Sequence, residues 1–231
     1  QQESATPPGF RSGFIAIVGR PNVGKSTFTI NTASGLARNG YKVLYMPNED
    51  PHRIVVSRLL SRFVGTPFLQ IHKDQDPHHA VAVGQGFNRI VVQEINPGSL
   101  QDIRAAVARY KPDVFIIDQI YKIAMESRDG AVQTFANVSA GCRTIAKEFN
   151  CISILVTQVA DAAKDKLFLS QEDVEWSNTG VCAQMDLMIG LAQNEDLQAQ
   201  HKMMVSFPRW KWGEKPKPFT VNVDYQFNKI T

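Results

Sequence analysis

The run Gly19-Arg20-Pro21-Asn22-Val23-Gly24-Lys25-Ser26-Thr27 holds the residues best suited to chemistry. It fits G-x-x-x-x-G-K-[ST], a phosphate-binding loop. The apolar stretch Phe14 to Val18 leads into it and a helix-like stretch follows from Ser26, the context this motif requires. Two glycines let the backbone curl so that its N–H groups face phosphate oxygens, and the helix start adds the positive end of its dipole. Lys25 is expected to reach the β- and γ-phosphates. Ser26 is expected to hold Mg²⁺, with Thr27 completing the loop. A nucleoside triphosphate, ATP or dTTP, is the implied ligand.

Three further positions belong to the same chemistry. Asp118 closes the apolar run Val114-Phe115-Ile116-Ile117, as a metal-orienting aspartate does in phosphate-loop enzymes. Many such ATPases carry a glutamate next, but here that position is Gln119. Glu49, after Val43-Leu44-Tyr45-Met46, is the candidate to activate water instead, with Asp50 competing. Gln158 follows the run Ile152 to Thr157, where an amide can touch the γ-phosphate and report its loss.

These residues need a scaffold that collects strand ends in one crevice. Strands at 14–18, 43–46, 89–94, 114–118, 152–157 and 187–191 alternate with helices at 27–39, 51–65, 100–110 and 134–149. Ser99 is placed to cap the helix that starts at Leu100. That alternation predicts a doubly wound, mostly parallel sheet whose strand C-termini line the ligand crevice. Residues 66–86 are weakly patterned and expected to be loop-rich. Met203 to Ile230 reads as β-rich, a hairpin around Gly213. The 231 residues, 43% hydrophobic and 20% charged, suit one large α/β domain over 14–231. Residues 1–13 then form a linker or truncated lead-in, and the opening Gln1-Gln2 reads as a piece of a longer protein. A net charge of +3 permits a local basic loop without requiring one. Cys142, Cys151 and Cys182 lack metal spacing and read as buried thiols in a reducing compartment. His52, His72, His78 and His79 read as loop histidines. No apolar run approaches the ~20 residues of a membrane span.

Taken together, the phosphate loop, Glu49, Ile116-Ile117-Asp118 and Thr157-Gln158 resemble the RecA-like motor of DnaB-type replicative helicases, the group that includes phage primase-helicases and the mitochondrial helicase Twinkle. Pro8-Gly9, Ala146-Lys147-Glu148-Phe149 and the stretch Gly180 to Leu191, with Gln184 and Asp186, extend the resemblance over nearly the whole chain. The resemblance implies a homo-oligomeric ring, usually a hexamer, with nucleotide between subunits and single-stranded DNA in the channel. It puts the DNA-contacting loops at about 124–133 and 160–180, with Lys164 and Lys166 in the second. Trp176 of that loop could stack on a base or pack in a core. The family's Lys-x-Arg-x-Gly finger, offered to the neighbouring subunit, corresponds to Arg209-Trp210-Lys211-Trp212-Gly213 with the basic types exchanged, and which of the two is the finger stays open. Tyr225 is expected beside the nucleotide base, with Phe227 near it. A primase domain or protein is a further partner, and a bacterial or phage-infected cytoplasm the expected location, with an organelle left open.

Three other classes share the loop. An Era-like GTPase has the same Gly-Arg-Pro-Asn-Val-Gly-Lys-Ser-Thr, but D-x-x-G and Asn-Lys-x-Asp do not follow. A RecA-type strand-exchange ATPase would share the fold and Glu49, and a non-translocating ring ATPase is the remaining alternative.

Overall fold

A computed structural model describes residues 12–95, 98–120, 123, 131–160, 163, 166–174 and 185–231. Among the described residues nine strands form one sheet in the order β3-β2-β4-β5-β1-β6-β7-β8-β9. They are β1 (Gly13–Gly19), β2 (Val43–Pro47), β3 (Ile90–Val92), β4 (Val114–Asp118), β5 (Ile152–Gln158), β6 (Leu187–Ala192), β7 (Lys202–Trp210), β8 (Phe219–Asp224) and β9 (Lys229–Ile230). The first six run parallel, and β7 to β9 continue the sheet antiparallel. The helices are α1 (Lys25–Arg38), α2 (His52–Val64), α3 (Phe68–Lys73), α4 (Asp76–Gly84), α5 (Leu100–Tyr110), α6 (Ala131–Glu148) and α7 (Glu195–Ala199).

The continuous apolar runs follow from helices on both faces of the sheet. Phe14, Ala16 and Val18 of β1, Leu44 and Met46 of β2, and Phe115 and Ile117 of β4 point into the core shared with α5 and α6. The alternate residues, Ile17, Val43, Tyr45, Val114 and Ile116, enter the core shared with α1 and α2. Period-2 alternation splits each strand between two cores, so a polar residue inside such a run needs a partner within the protein.

Sequence expectation and structure differ in a few places. Residues 66–86 are not loop-rich, since α3 and α4 lie there. Each short helix buries one residue, Ile71 in α3 and Ala82 in α4, which leaves no apolar stripe to read. His72, His78 and His79 are therefore helical, and His52 opens α2. The strand expected over 89–94 shortens to β3, and α6 starts three residues before Thr134. The first strand, β1, begins at Gly13, one residue before the expected domain start. Tyr225 and Phe227 lie in the turn between β8 and β9. Ser99 does cap α5, its hydroxyl accepting from Asp102 N while the Asp102 carboxylate returns the bond. Cys142 and Cys151 are buried free thiols, and Cys182 lies outside the described residues.

Candidate active site

The parallel register assembles the site. Pro47 pairs Asp118, Asp118 pairs Val156, and Gly19 pairs Gln158. The residues just past these ends must therefore emerge at the C-terminal end of the sheet. There a cavity of about 320 Å³ has Asn22, Gly24, Lys25, Ser26 and Thr27 on its floor. Glu49 and Asp50 from beyond β2, Gln119 from beyond β4 and Gln158 from β5 form one wall, with Arg58 of α2 and Tyr225 at the rim.

Gly24 sits at φ 97°, in the left-handed region that disfavours a side chain, and α1 starts directly after it with no side-chain cap. The first N–H groups of α1 are thus left to an anion. Gly19, at the other end of the loop, has no room for a side chain, since a Cβ there would stand 2.8 Å from Leu191 O and from Val23 Cγ1. The Lys25 ammonium is buried and donates to Gly19 O (3.0 Å) and Arg20 O (2.7 Å). Burial brings its pKa down to about 8 against the pull of the Asp118 and Glu49 carboxylates.

Asp118 is buried beneath the floor. Its Oδ2 accepts from the Tyr45 hydroxyl (2.6 Å) and the Thr29 hydroxyl (3.3 Å), and the Ser26 hydroxyl lies close enough to favour its charged form. Its Oδ1 has no partner among the described residues. Burial pushes the Asp118 carboxyl above the usual range, opposed by the Tyr45 and Ser26 hydrogen bonds. Burial, then the Asp118 charge, raises the Tyr45 phenol well above its ordinary value. A buried oxygen without a partner, next to the Ser26 hydroxyl, is the donor set a hard divalent cation such as Mg²⁺ takes. These residues fit that ion.

The wall is a chain of side-chain hydrogen bonds. Gln119 Nε2 donates to Glu49 Oε2 at 2.5 Å, and Gln158 Nε2 donates to Gln119 Oε1 at 3.2 Å. Asp50 instead pairs with Arg58 at 2.7 Å. Arg58, Asn48, Tyr45 and Thr29 were not among the sequence candidates. Tyr45 was legible as the one polar-tipped residue in an aliphatic run, whereas Arg58 gives no signal beyond its place in an amphipathic helix.

Of the remaining candidates outside the phosphate loop, only Tyr225 reaches this cavity among the described residues. Tyr225 is 43% exposed, and its ring lies next to Gly24, where a Cβ would come within 3.4 Å of its hydroxyl. Arg209 on β7 donates to Met185 O (2.6 Å) and Gln171 Oε1 (3.3 Å). Lys211 pairs with Asp186 at 2.9 Å, and the Asp186 carboxylate also accepts from Phe14 N at 3.0 Å. Lys211 is therefore tied to the N-terminal end of β1, the end away from the phosphate loop. Lys166 pairs with Asp173 at 2.7 Å. Lys164, Trp176, Gln184 and most of 124–133 lie outside the described residues. Among the described residues no cluster of His, Cys, Asp and Glu is arranged to hold a metal.

Comparison with known proteins adds to this geometry. The family described as an AAA domain matches residues 5–164. Among curated proteins, the chain is 32% identical to GTPase Era of Tropheryma whipplei (strain TW08/27) over 128 residues, 52% of this chain and 38% of that protein. It is 24% identical to the DNA repair protein RadA of Chlamydia pneumoniae over 157 residues, 67% of this chain and 30% of that one. It thus spans about a third of the length of these relatives. Among solved structures, the ATPase domain of G40P superposes with a TM-score of 0.83 at 16% identity, over 96% of this chain and 85% of that one. A DnaB-like replicative helicase, solved with attention to its interactions with primase, gives 0.84 at 15% identity over 95% and 57%. The fold is that of these helicase ATPase domains.

Proposed function

The chain belongs to the AAA domain family, and from that premise we propose that it is the NTP-hydrolysing motor of a DnaB-type replicative helicase. The observation that carries this reading is the position of Glu49. It lines the cavity of Lys25 and Ser26 from the end of β2, while the residue after Asp118 is an amide. A base on the strand beside the metal-orienting aspartate gives a water access to the outermost phosphorus in line with the leaving oxygen.

In this reading the N–H groups from Gly19 to Thr27, including those of Arg20, Asn22, Val23 and Gly24, cradle the triphosphate, with Pro21 shaping the turn. Lys25 releases its carbonyl partners and turns to the β- and γ-phosphates. Ser26 and Asp118 hold Mg²⁺, which offsets phosphate charge when bound. Glu49 takes the proton from the attacking water. Gln158 senses the γ-phosphate. Tyr225 flanks the base. Arg209 or Lys211 supplies positive charge to a neighbouring copy's phosphates, and the tie of Lys211 to the far end of β1 supports service in trans rather than in cis. Single-stranded DNA meets the loop carrying Lys164 and Lys166, where a single strand would compete with Asp173 for the Lys166 ammonium. The assembly is a ring, with a primase as a possible companion and a bacterial or phage-infected cytoplasm as its setting. The RadA likeness favours a second reading, a strand-exchange ATPase; open helical filaments in electron micrographs, instead of closed rings, would select it.

The test is hydrolysis with and without single-stranded DNA. Glu49→Gln should lower turnover by about 10²–10⁴-fold while a fluorescent ATP analogue still binds. Full hydrolysis in that variant would remove Glu49 from the role of base. A wild-type rate indifferent to single-stranded DNA would overturn the motor reading.

A further inference from the structure

We propose that Gln119 is a positioning residue that links the water-activating carboxylate to the nucleic-acid loop through Gln158; this rests on the motor reading above. Gln119 is buried, and its amide is used on both branches. Nε2 donates to Glu49 Oε2 (2.5 Å) and Oε1 accepts from Gln158 Nε2 (3.2 Å). Only a side chain with one donor branch and one acceptor branch completes this chain. A glutamate at 119 would lack the donor and repel Glu49. The amide therefore has a use of its own where other phosphate-loop ATPases carry their base.

The backbone beneath it is fixed. Gln119 N donates to Asn48 Oδ1 (2.6 Å), and Asn48 N donates to Asp118 O (3.0 Å), which pins the end of β2 to the end of β4. With both backbones held, the Glu49 carboxylate is set chiefly by its bond to Gln119, a short charge-assisted one.

The other end of the chain is the root of a loop. Directly after Gln158, Val159 bridges to Val174 and Ala160 N donates to Asp173 O (2.8 Å). Asp173 holds the Lys166 ammonium. A displacement of this loop reaches Gln158 within two residues and passes through Gln119 to Glu49. The relay thus joins whatever Lys166 binds to the orientation of the base.

The test uses leucine at 119 and at 158, which keeps approximate volume and removes the hydrogen bonds. ATP turnover would be measured with and without oligo-dT in wild type, Gln119→Leu, Gln158→Leu and the double variant, with thermal midpoints and binding of a fluorescent ATP analogue as fold controls. Each single variant should lower the ratio of stimulated to basal rate about tenfold. The double variant should be no worse than the poorer single, because both break one chain. An unchanged ratio in Gln119→Leu, or a double loss equal to the product of the singles, would overturn the relay. Should leucine at 119 not fold, Gln119→Asn keeps the amide but falls one methylene short, and its ratio should also drop. Absence of stimulation in the wild type would instead bring down the motor reading itself, and the relay with it.

Discussion

Burial brings the Lys25 ammonium down to a pKa of about 8, which makes phosphate binding sensitive to pH. Below that value the amine is charged; above it the amine is neutral. A triphosphate favours the charged form and raises the pKa on binding. Binding above pH 8 therefore takes up a proton. Affinity should fall by up to about tenfold per pH unit until the bound-state value is reached. Calorimetry in buffers of different ionisation enthalpy reads that proton directly, and affinity flat from pH 7 to 10 would contradict the buried-cation picture. That Lys25, Ser26 and Glu49 would gather at one cavity, with Asp118 close by, was legible in the sequence, because phosphate chemistry restricts residue type and spacing together. Asn48 and Gln119 were not legible as a pair. Their relation depends on how the ends of β2 and β4 meet, and no local pattern encodes that.

At the scale of elements, β1 and α1 are joined by a loop that tolerates little change. Gly19→Ala would press a methyl into Leu191 O of β6 and Val23 Cγ1. Such overpacking costs about 1–3 kcal/mol. The thermal midpoint should fall and nucleotide affinity with it, since β1 must shift against β6 and carry the loop along. An unchanged midpoint would mean that β6 yields more easily than its central position suggests. The six parallel strands were readable from the sequence because burial on both faces leaves unbroken apolar runs such as Val114 to Ile117. The helices α3 and α4 were not, because each is anchored by a single buried side chain. The small α7 falls in the same class: it buries nothing, and the Asn194 cap is its main local support.

At the scale of the whole molecule, the proposed site is divided between copies. A Glu49→Gln chain would keep its basic finger, and a chain with Arg209→Ala and Lys211→Ala would keep its base. Each alone should hydrolyse poorly, and mixing the two should restore part of the rate as the interfaces that pair an intact base with an intact finger form. No gain on mixing would mean that these residues do not act in trans. Which of the two basic residues would act in this proposal was not readable from the sequence, because it depends on a surface that one chain cannot complete. The outer strands bear on how such copies can meet. β3 is three residues long and β9 two, so the sheet's flanks offer only a few open amides and carbonyls as a template for a foreign strand. Further subunits would gain little by prolonging the β-structure sideways, and that leaves loops, helices and charged side chains as the material for the proposed ring.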